Sequence, residues 1–145
     1  MITHLHHILL AEDSAPDLEL TIAALRQNHV LNEIAVVRDG AQALDYLYCR
    51  NQYADRQTGR PALVLLDLKM PKVDGLDVLR QVKSDPALKT IPIVVLTSSR
   101  EEQDLVRSYD LGVNAYVVKP VDFHEFVEAV KLLGGFWALV NTSPK

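Results

Sequence analysis

Asp67 ends an apolar run, Ala62-Leu63-Val64-Leu65-Leu66, and is followed at once by Leu68-Lys69-Met70-Pro71 and then Asp74-Gly75. An ionised carboxylate beside a dry interior is costly unless it is paired with a cation, hydrogen-bonded or chemically employed. Polar residues stand at the ends of three other apolar runs. Glu12 and Asp13 follow Ile8-Leu9-Leu10-Ala11, Thr97 follows Ile91-Pro92-Ile93-Val94-Val95-Leu96, and Lys119 follows Ala115-Tyr116-Val117-Val118. Three carboxylates in one crevice repel each other and raise each other's pKa unless a cation is present, and oxygen-only ligands select a hard ion, Mg²⁺ first among them. An ammonium and a hydroxyl beside one carboxylate suit phosphoryl chemistry, with Asp67 as the acceptor. Singly, each residue has a plainer reading, since strand-end Asp and Thr often cap helices and a Lys before Pro is often a solvated loop residue. Their recurrence in consecutive units carries the chemical reading.

The elements that must position them follow from the pattern. Apolar runs of strand length alternate with segments of helical period, which predicts an α/β domain with a parallel sheet covered on both faces. Ser14 caps a first helix with Pro16, Asp17 and Glu19 in its opening turns and Leu18, Ile22 and Leu25 on its core face, fading near Asn28-His29. A weaker strand, Ile34 to Arg38, leads through Asp39-Gly40 into a helix with Ala43, Leu44 and Leu47 inside. Residues 51–61 read as a polar loop, long for such a connection, and surface decoration is its simpler reading. Further helices are expected from Leu76 to Lys83, from Glu101 to Leu111 with Gly112 as a left-handed cap, and from Asp122. That makes five strands and five helices. In a doubly wound sheet the strand carboxyl ends share one edge, so Glu12, Asp13, Asp67, Thr97 and Lys119 should converge there.

Composition sets the bounds. The chain has 145 residues, 48% hydrophobic and 23% charged, enough for one domain with a real core, expected over about residues 6–133. A net charge of -4 with no long basic run argues against a nucleic-acid partner. The N-terminus lacks a secretory signal and no apolar run spans a bilayer, so the expectation is a cytoplasmic protein with no membrane partner. Cys49 is alone, which excludes an intramolecular disulfide and suggests a semi-buried thiol on a helix. His4, His6 and His7 read as incidental surface histidines rather than metal ligands.

The final helix carries Phe123, Phe126, Val127, Val130 and Leu133, followed by Phe136, Trp137 and Val140, more apolar residues than one inner stripe needs. Part of that set, in particular Phe126, Val130, Phe136 and Trp137, is expected to form a homodimer interface. The alternative is that Gly134-Gly135 bends the chain so that Phe136-Trp137 folds back over the core.

The segments Leu10-Ala11-Glu12-Asp13, Leu66-Asp67-Leu68-Lys69-Met70-Pro71, Leu96-Thr97-Ser98 and Val118-Lys119-Pro120 together resemble the receiver domain of two-component response regulators, over nearly the whole chain. The resemblance implies a flavodoxin-like fold with strand order 2-1-3-4-5 and phosphoryl transfer from a sensor histidine kinase's phosphohistidine to Asp67. It implies Mg²⁺ held by Asp13, Asp67 and the backbone carbonyl of Lys69, with Glu12 acting through water. Thr97 matches the family's switch hydroxyl, Lys119 its phosphate-binding ammonium and Tyr116 the aromatic that turns inward. The family's Lys-Pro commonly holds a cis peptide, which the sequence itself leaves open for Lys119-Pro120. Ser98 stands where many receivers carry Ala, and Lys69 and Ser99 border the path of hydrolytic water. The loop at 51–61 and the tail at 134–141 are similar to stand-alone regulators paired with bacterial phytochromes, which implies a light-sensing kinase and a non-enzymatic switch. With no DNA-binding module expected after the receiver, output is expected through protein contact. Two rival readings remain. A haloacid-dehalogenase-type phosphatase resembles D-x-D, but Lys69 occupies its second Asp position; a degenerate receiver serving as an unphosphorylated interaction module would normally have lost some of these groups.

Overall fold

In the computed structural model, which describes residues 7–56, 59–113 and 115–132, each apolar run becomes a short strand and each strand feeds a helix. In chain order the elements are β1 (Ile8–Ala11), α1 (Ala15–Gln27), β2 (Ile34–Val37), α2 (Gly40–Tyr48), β3 (Leu63–Asp67), α3 (Gly75–Ser84), β4 (Ile93–Thr97), α4 (Arg100–Ser108), β5 (Tyr116–Val118) and α5 (Phe123–Leu132). The strands are parallel in the order β2-β1-β3-β4-β5, the flavodoxin-like arrangement that was expected. Ile8 aligns with both Ile34 and Leu63, Val64 with Ile93, and Val95 with Tyr116.

The three central strands are buried on both faces, which is why they read as continuous apolar runs instead of alternating ones. Successive side chains then serve two separate cores. Leu9, Ala11, Val64, Leu66, Ile93 and Val95 pack against α2, α3 and Val106 of α4. Ile8, Leu10, Leu63, Leu65, Val94 and Leu96 pack against Leu25 of α1 and Phe126, Ala129 and Val130 of α5.

Each of the five α-helices starts at a short polar cap beyond a strand's carboxyl end. Ser14, Asp39, Asp74, Ser99 and Asp122 accept the backbone N–H three residues on, at 3.3, 2.8, 2.9, 3.1 and 3.1 Å respectively. The positive helix ends therefore gather on the edge where the strand-end carboxylates lie.

Four expectations need correction. Phe126 and Val130 are both 0% exposed, so they are core residues and present no surface to a partner; α5 also turns Phe123 and Val127 partly onto the same core, which absorbs the surplus of apolar residues. The other two expected interface residues, Phe136 and Trp137, lie outside the described residues, as do Leu133, Val140, His4 and His6. His7 is no surface histidine: it is buried, with Nε2 2.8 Å from the Tyr46 hydroxyl. Cys49 is exposed at the C-cap of α2, where its φ of 53° turns the chain left-handed and points it out of the helix. Helix α4 ends at Ser108, three residues early, because Asp110 already takes a φ of 52°, and Gly112, with φ 78°, lies in the connection beyond. The loop after α2 is tied down: Tyr53 packs edge-on against Tyr46 at 5.0 Å and the Arg56 guanidinium lies 4.1 Å from the same ring.

Candidate functional site

The end of β1 sets the first two acids. The Glu12 N–H donates to Val37 across the sheet at 3.0 Å, keeping the strand ladder intact into the loop, so the Glu12 side chain is carried inward to complete burial. The next residue, Asp13, is exposed. Arg38 fixes this turn from β2, its guanidinium donating to the carbonyls of Glu12 at 3.0 Å and Asp13 at 2.8 Å.

At the end of β3 the chain folds tightly over Asp67, which is 2% exposed. Gly75 is required there: its N–H donates to the Leu68 carbonyl at 2.7 Å, and a Cβ on it would sit 2.3 Å from the Asp67 carbonyl oxygen. Gly40 meets the same loop from the other side, where a Cβ would fall 1.6 Å from the Val73 carbonyl oxygen. The loop carrying Asp67 is thereby clamped between the starts of α2 and α3.

The ends of β4 and β5 supply the rest. The Lys119 N–H donates to the Thr97 carbonyl at 2.8 Å, and the Lys119–Pro120 peptide is cis. The ammonium lies 3.0 Å from Asp17, 3.2 Å from Asp67 and 3.3 Å from Glu12. Glu12, Asp13 and Asp67 each offer a carboxylate oxygen within 4.8 Å of the others. Thr97 Oγ1 is buried with no hydrogen-bond partner among the described residues.

A model of the response regulator receiver domain matches residues 8–131. The chain belongs to the response regulator receiver family. Response regulator Rcp1 of Synechocystis sp. is 39% identical over 137 residues, covering 94% of this chain and 92% of that protein. The solved bacteriophytochrome response regulator AtBRR is 60% identical with a TM-score of 0.91, covering 95% of this chain and 99% of that one. A Mn²⁺-bound form of Rcp1 is 38% identical with a TM-score of 0.72, covering 97% and 99%. The phosphorylated cyanobacterial phytochrome response regulator RcpA is 43% identical, also with a TM-score of 0.72 and the same coverage. Receivers are in general non-enzymatic signalling modules that interact with histidine kinases, and AtBRR and RcpA are phytochrome response regulators.

The receiver's electrostatics follow from the packing of like charges. Burial pushes the Glu12 carboxyl up to about 7, helped by a hydrogen bond and charge repulsion from Asp67, and opposed by Lys119 and by the Ser14 N–H. Burial alone would lower the Lys119 ammonium's proton affinity, but Asp17, Asp67 and Glu12 outweigh it and hold the group charged. The cluster is an oxygen-only set with more negative charge than its one ammonium balances, which fits a hard divalent cation. The orphaned Thr97 hydroxyl fits an acceptor that arrives only in another state of the site.

Tyr116 stands apart from the acids. It is half-buried, its hydroxyl donates to the Val113 carbonyl at 3.1 Å and the Arg107 guanidinium lies 4.5 Å from its ring, beside a cavity of about 440 Å³ between α4 and α5. The side chain of Lys69 is exposed and pairs with Glu102 at 3.5 Å. Three residues of the receiver site were missed from the sequence: Asp17, read only as a helix-end charge; Arg38, read only as the end of a strand; and Glu102. Glu102 does have a local signal, the Ser99-x-x-Glu102 spacing of a capping box.

Proposed function

We propose that this receiver accepts a phosphoryl group on Asp67 from the phosphohistidine of a sensor histidine kinase. A P–O bond to an Asp67 carboxylate oxygen forms as the kinase's P–N bond breaks, and the electron pair leaves with the imidazole. The observation that carries this reading is the position of the Lys119 ammonium, 3.2 Å from Asp67 and 3.3 Å from Glu12, on the edge where Asp13 follows β1 and Thr97 ends β4. Asp13, Asp67 and the Lys69 carbonyl would hold Mg²⁺, with Glu12 acting through water, and the ion would neutralise charge spreading over the phosphoryl oxygens. Lys119 exchanges its carboxylate contacts for the incoming oxygens. Thr97 then gains the partner that its hydroxyl lacks, and Tyr116 is biased inward, changing the surface that β5 and the flanking helices present. This is a population shift driven by contacts that exist only with phosphate present.

The similarity to RcpA and AtBRR favours a phytochrome-type kinase acting in the cytoplasm. No helix among the described residues is long and apolar enough to cross a membrane. Self-association through β5 and α5 belongs to the same reading, supported by Leu132, which is 68% exposed at the end of α5, and by the apolar Phe136 and Trp137 that follow it in sequence.

Intact-mass analysis after incubation with acetyl phosphate, with and without Mg²⁺, tests the central claim. One labile phosphoryl group gained with Mg²⁺ and absent in Asp67→Asn is the expected result. No gain in the wild type would overturn it in favour of an unphosphorylated interaction module.

A further inference from the structure

Glu102 occupies the third position of α4, and its backbone N–H is capped by the Ser99 hydroxyl at 3.1 Å. In a standard capping box the glutamate would reach back to the N–H of the cap residue, Ser99. Here it reaches one residue further. One carboxylate oxygen accepts the Ser98 N–H at 2.8 Å, while the other accepts the Ser98 hydroxyl at 3.2 Å and faces the Lys69 ammonium at 3.5 Å. The Glu102 side chain is only 11% exposed. A single carboxylate thus joins the residue after Thr97 to the residue two beyond Asp67.

Thr97 and Ser98 share a peptide unit, so a backbone shift of one is passed to the other. The Thr97 hydroxyl is buried without a partner, and a movement towards oxygens placed on Asp67 would supply one. A shift that also carried the Ser98 N–H off Glu102 would break a charge-assisted hydrogen bond. We propose that Glu102 is a latch: a positioning residue that holds the β4–α4 loop in its resting geometry and sets how strongly a phosphoryl group on Asp67 must pull to switch it. The inference rests on Asp67 being the phosphoacceptor.

The rival role is helix capping alone. Glutamine serves a capping box as glutamate does, whereas only the carboxylate makes the charge-assisted bond to Ser98 and the ion pair to Lys69. E102Q therefore keeps the cap and weakens the latch. The test titrates beryllium fluoride, an inorganic mimic of a carboxylate-bound phosphoryl group, into the full chain with Mg²⁺ by calorimetry. E102Q is expected to bind it about fivefold more tightly than the wild type, the scale of turning one charge-assisted bond into a neutral one, and to melt about 2–4 °C lower in the absence of fluoride, because the weakened bond belongs to the resting state. T97A/E102Q is expected to bind no better than T97A, because the latch acts through Thr97. Equal affinity of E102Q and wild type, or the same gain in the T97A background, would overturn the latch and leave Glu102 a helix cap. A wild type that does not bind beryllium fluoride at all would overturn the phosphoacceptor reading, and the latch with it.

Discussion

Removing one negative charge from the site should change how stability depends on pH, and Asp67→Asn is the variant in which to see it. In the wild type the Glu12 carboxyl is raised from 4.5 to about 7, by burial first and then by Asp67. The folded protein holds that proton more tightly than the unfolded chain. Its stabilising contribution is therefore complete below pH 4.5 and is lost as pH rises through about 7. At 1.36 kcal/mol per decade of proton affinity, Glu12 contributes a loss of about 3 kcal/mol across that window. Asn at position 67 abolishes the charge repulsion, leaving burial opposed by Lys119 and Ser14, so the loss should shrink. Urea midpoints at pH 5, 6, 7 and 8 in a chelator would measure both curves, and their difference cancels every titrating group that the substitution leaves unperturbed. Adding Mg²⁺ at pH 8 should restore the wild type by about 2.7 kcal/mol once the ion is at a hundred times its dissociation constant, and should help Asp67→Asn far less. Superimposable pH curves for the two proteins would refute this account of the cluster.

Other substitutions test the scaffold around it. Gly75→Ala places a methyl 2.3 Å from the Asp67 carbonyl oxygen, and the forced backbone shift should cost about 1–3 kcal/mol by urea midpoint and slow labelling by acetyl phosphate. Phe126→Ala empties a fully buried ring site and should cost about 3–5 kcal/mol, by the same amount at every protein concentration; a concentration-dependent loss would restore Phe126 to an interface. Arg38→Met removes the donors to the Glu12 and Asp13 carbonyls and should weaken Mg²⁺ binding about tenfold or more by calorimetry, with a small change in stability.

The fold was legible because burial is written into composition at the sheet's centre. β1, β3 and β4 are buried along their whole lengths, so their runs are unbroken and their ends unambiguous. Residues that stop those runs are then placed on one edge by topology alone, which is how Glu12, Asp67, Thr97 and Lys119 could be gathered without coordinates. What was not legible depends on rotation about a helix axis or on side-chain reach. Asp17 sits where an acid would favour any helix start, and nothing local says that it lies 3.0 Å from Lys119. Apolar residues crowd α5, but pattern alone could not separate Phe126 and Val130, fully buried, from Leu132, largely exposed. The burial of His7 depends on Tyr46, 39 residues away in sequence, and Cys49 is exposed by a left-handed cap at a residue type that rarely adopts one.

The resting site is built from groups that are individually dissatisfied. Glu12 and Asp67 repel across a hydrogen bond, Lys119 is divided among three carboxylates, and Thr97 Oγ1 is buried with no partner. A buried hydroxyl without a hydrogen bond costs about 1–3 kcal/mol, and in the proposed switch that cost is present only while phosphate is absent. A ligand shifts an equilibrium by the difference in its interactions with the two states and no more. Relief of the Thr97 hydroxyl alone therefore supports a shift of roughly one to two decades in the resting-to-active ratio. The carboxylate of Glu102 pulls the other way, through the neighbouring peptide unit. The switch point of this receiver is then set by two opposed terms within two consecutive residues, Thr97 towards Asp67 and Ser98 towards Glu102, so a change of one charge at position 102 can retune the response and leave the phosphoacceptor untouched.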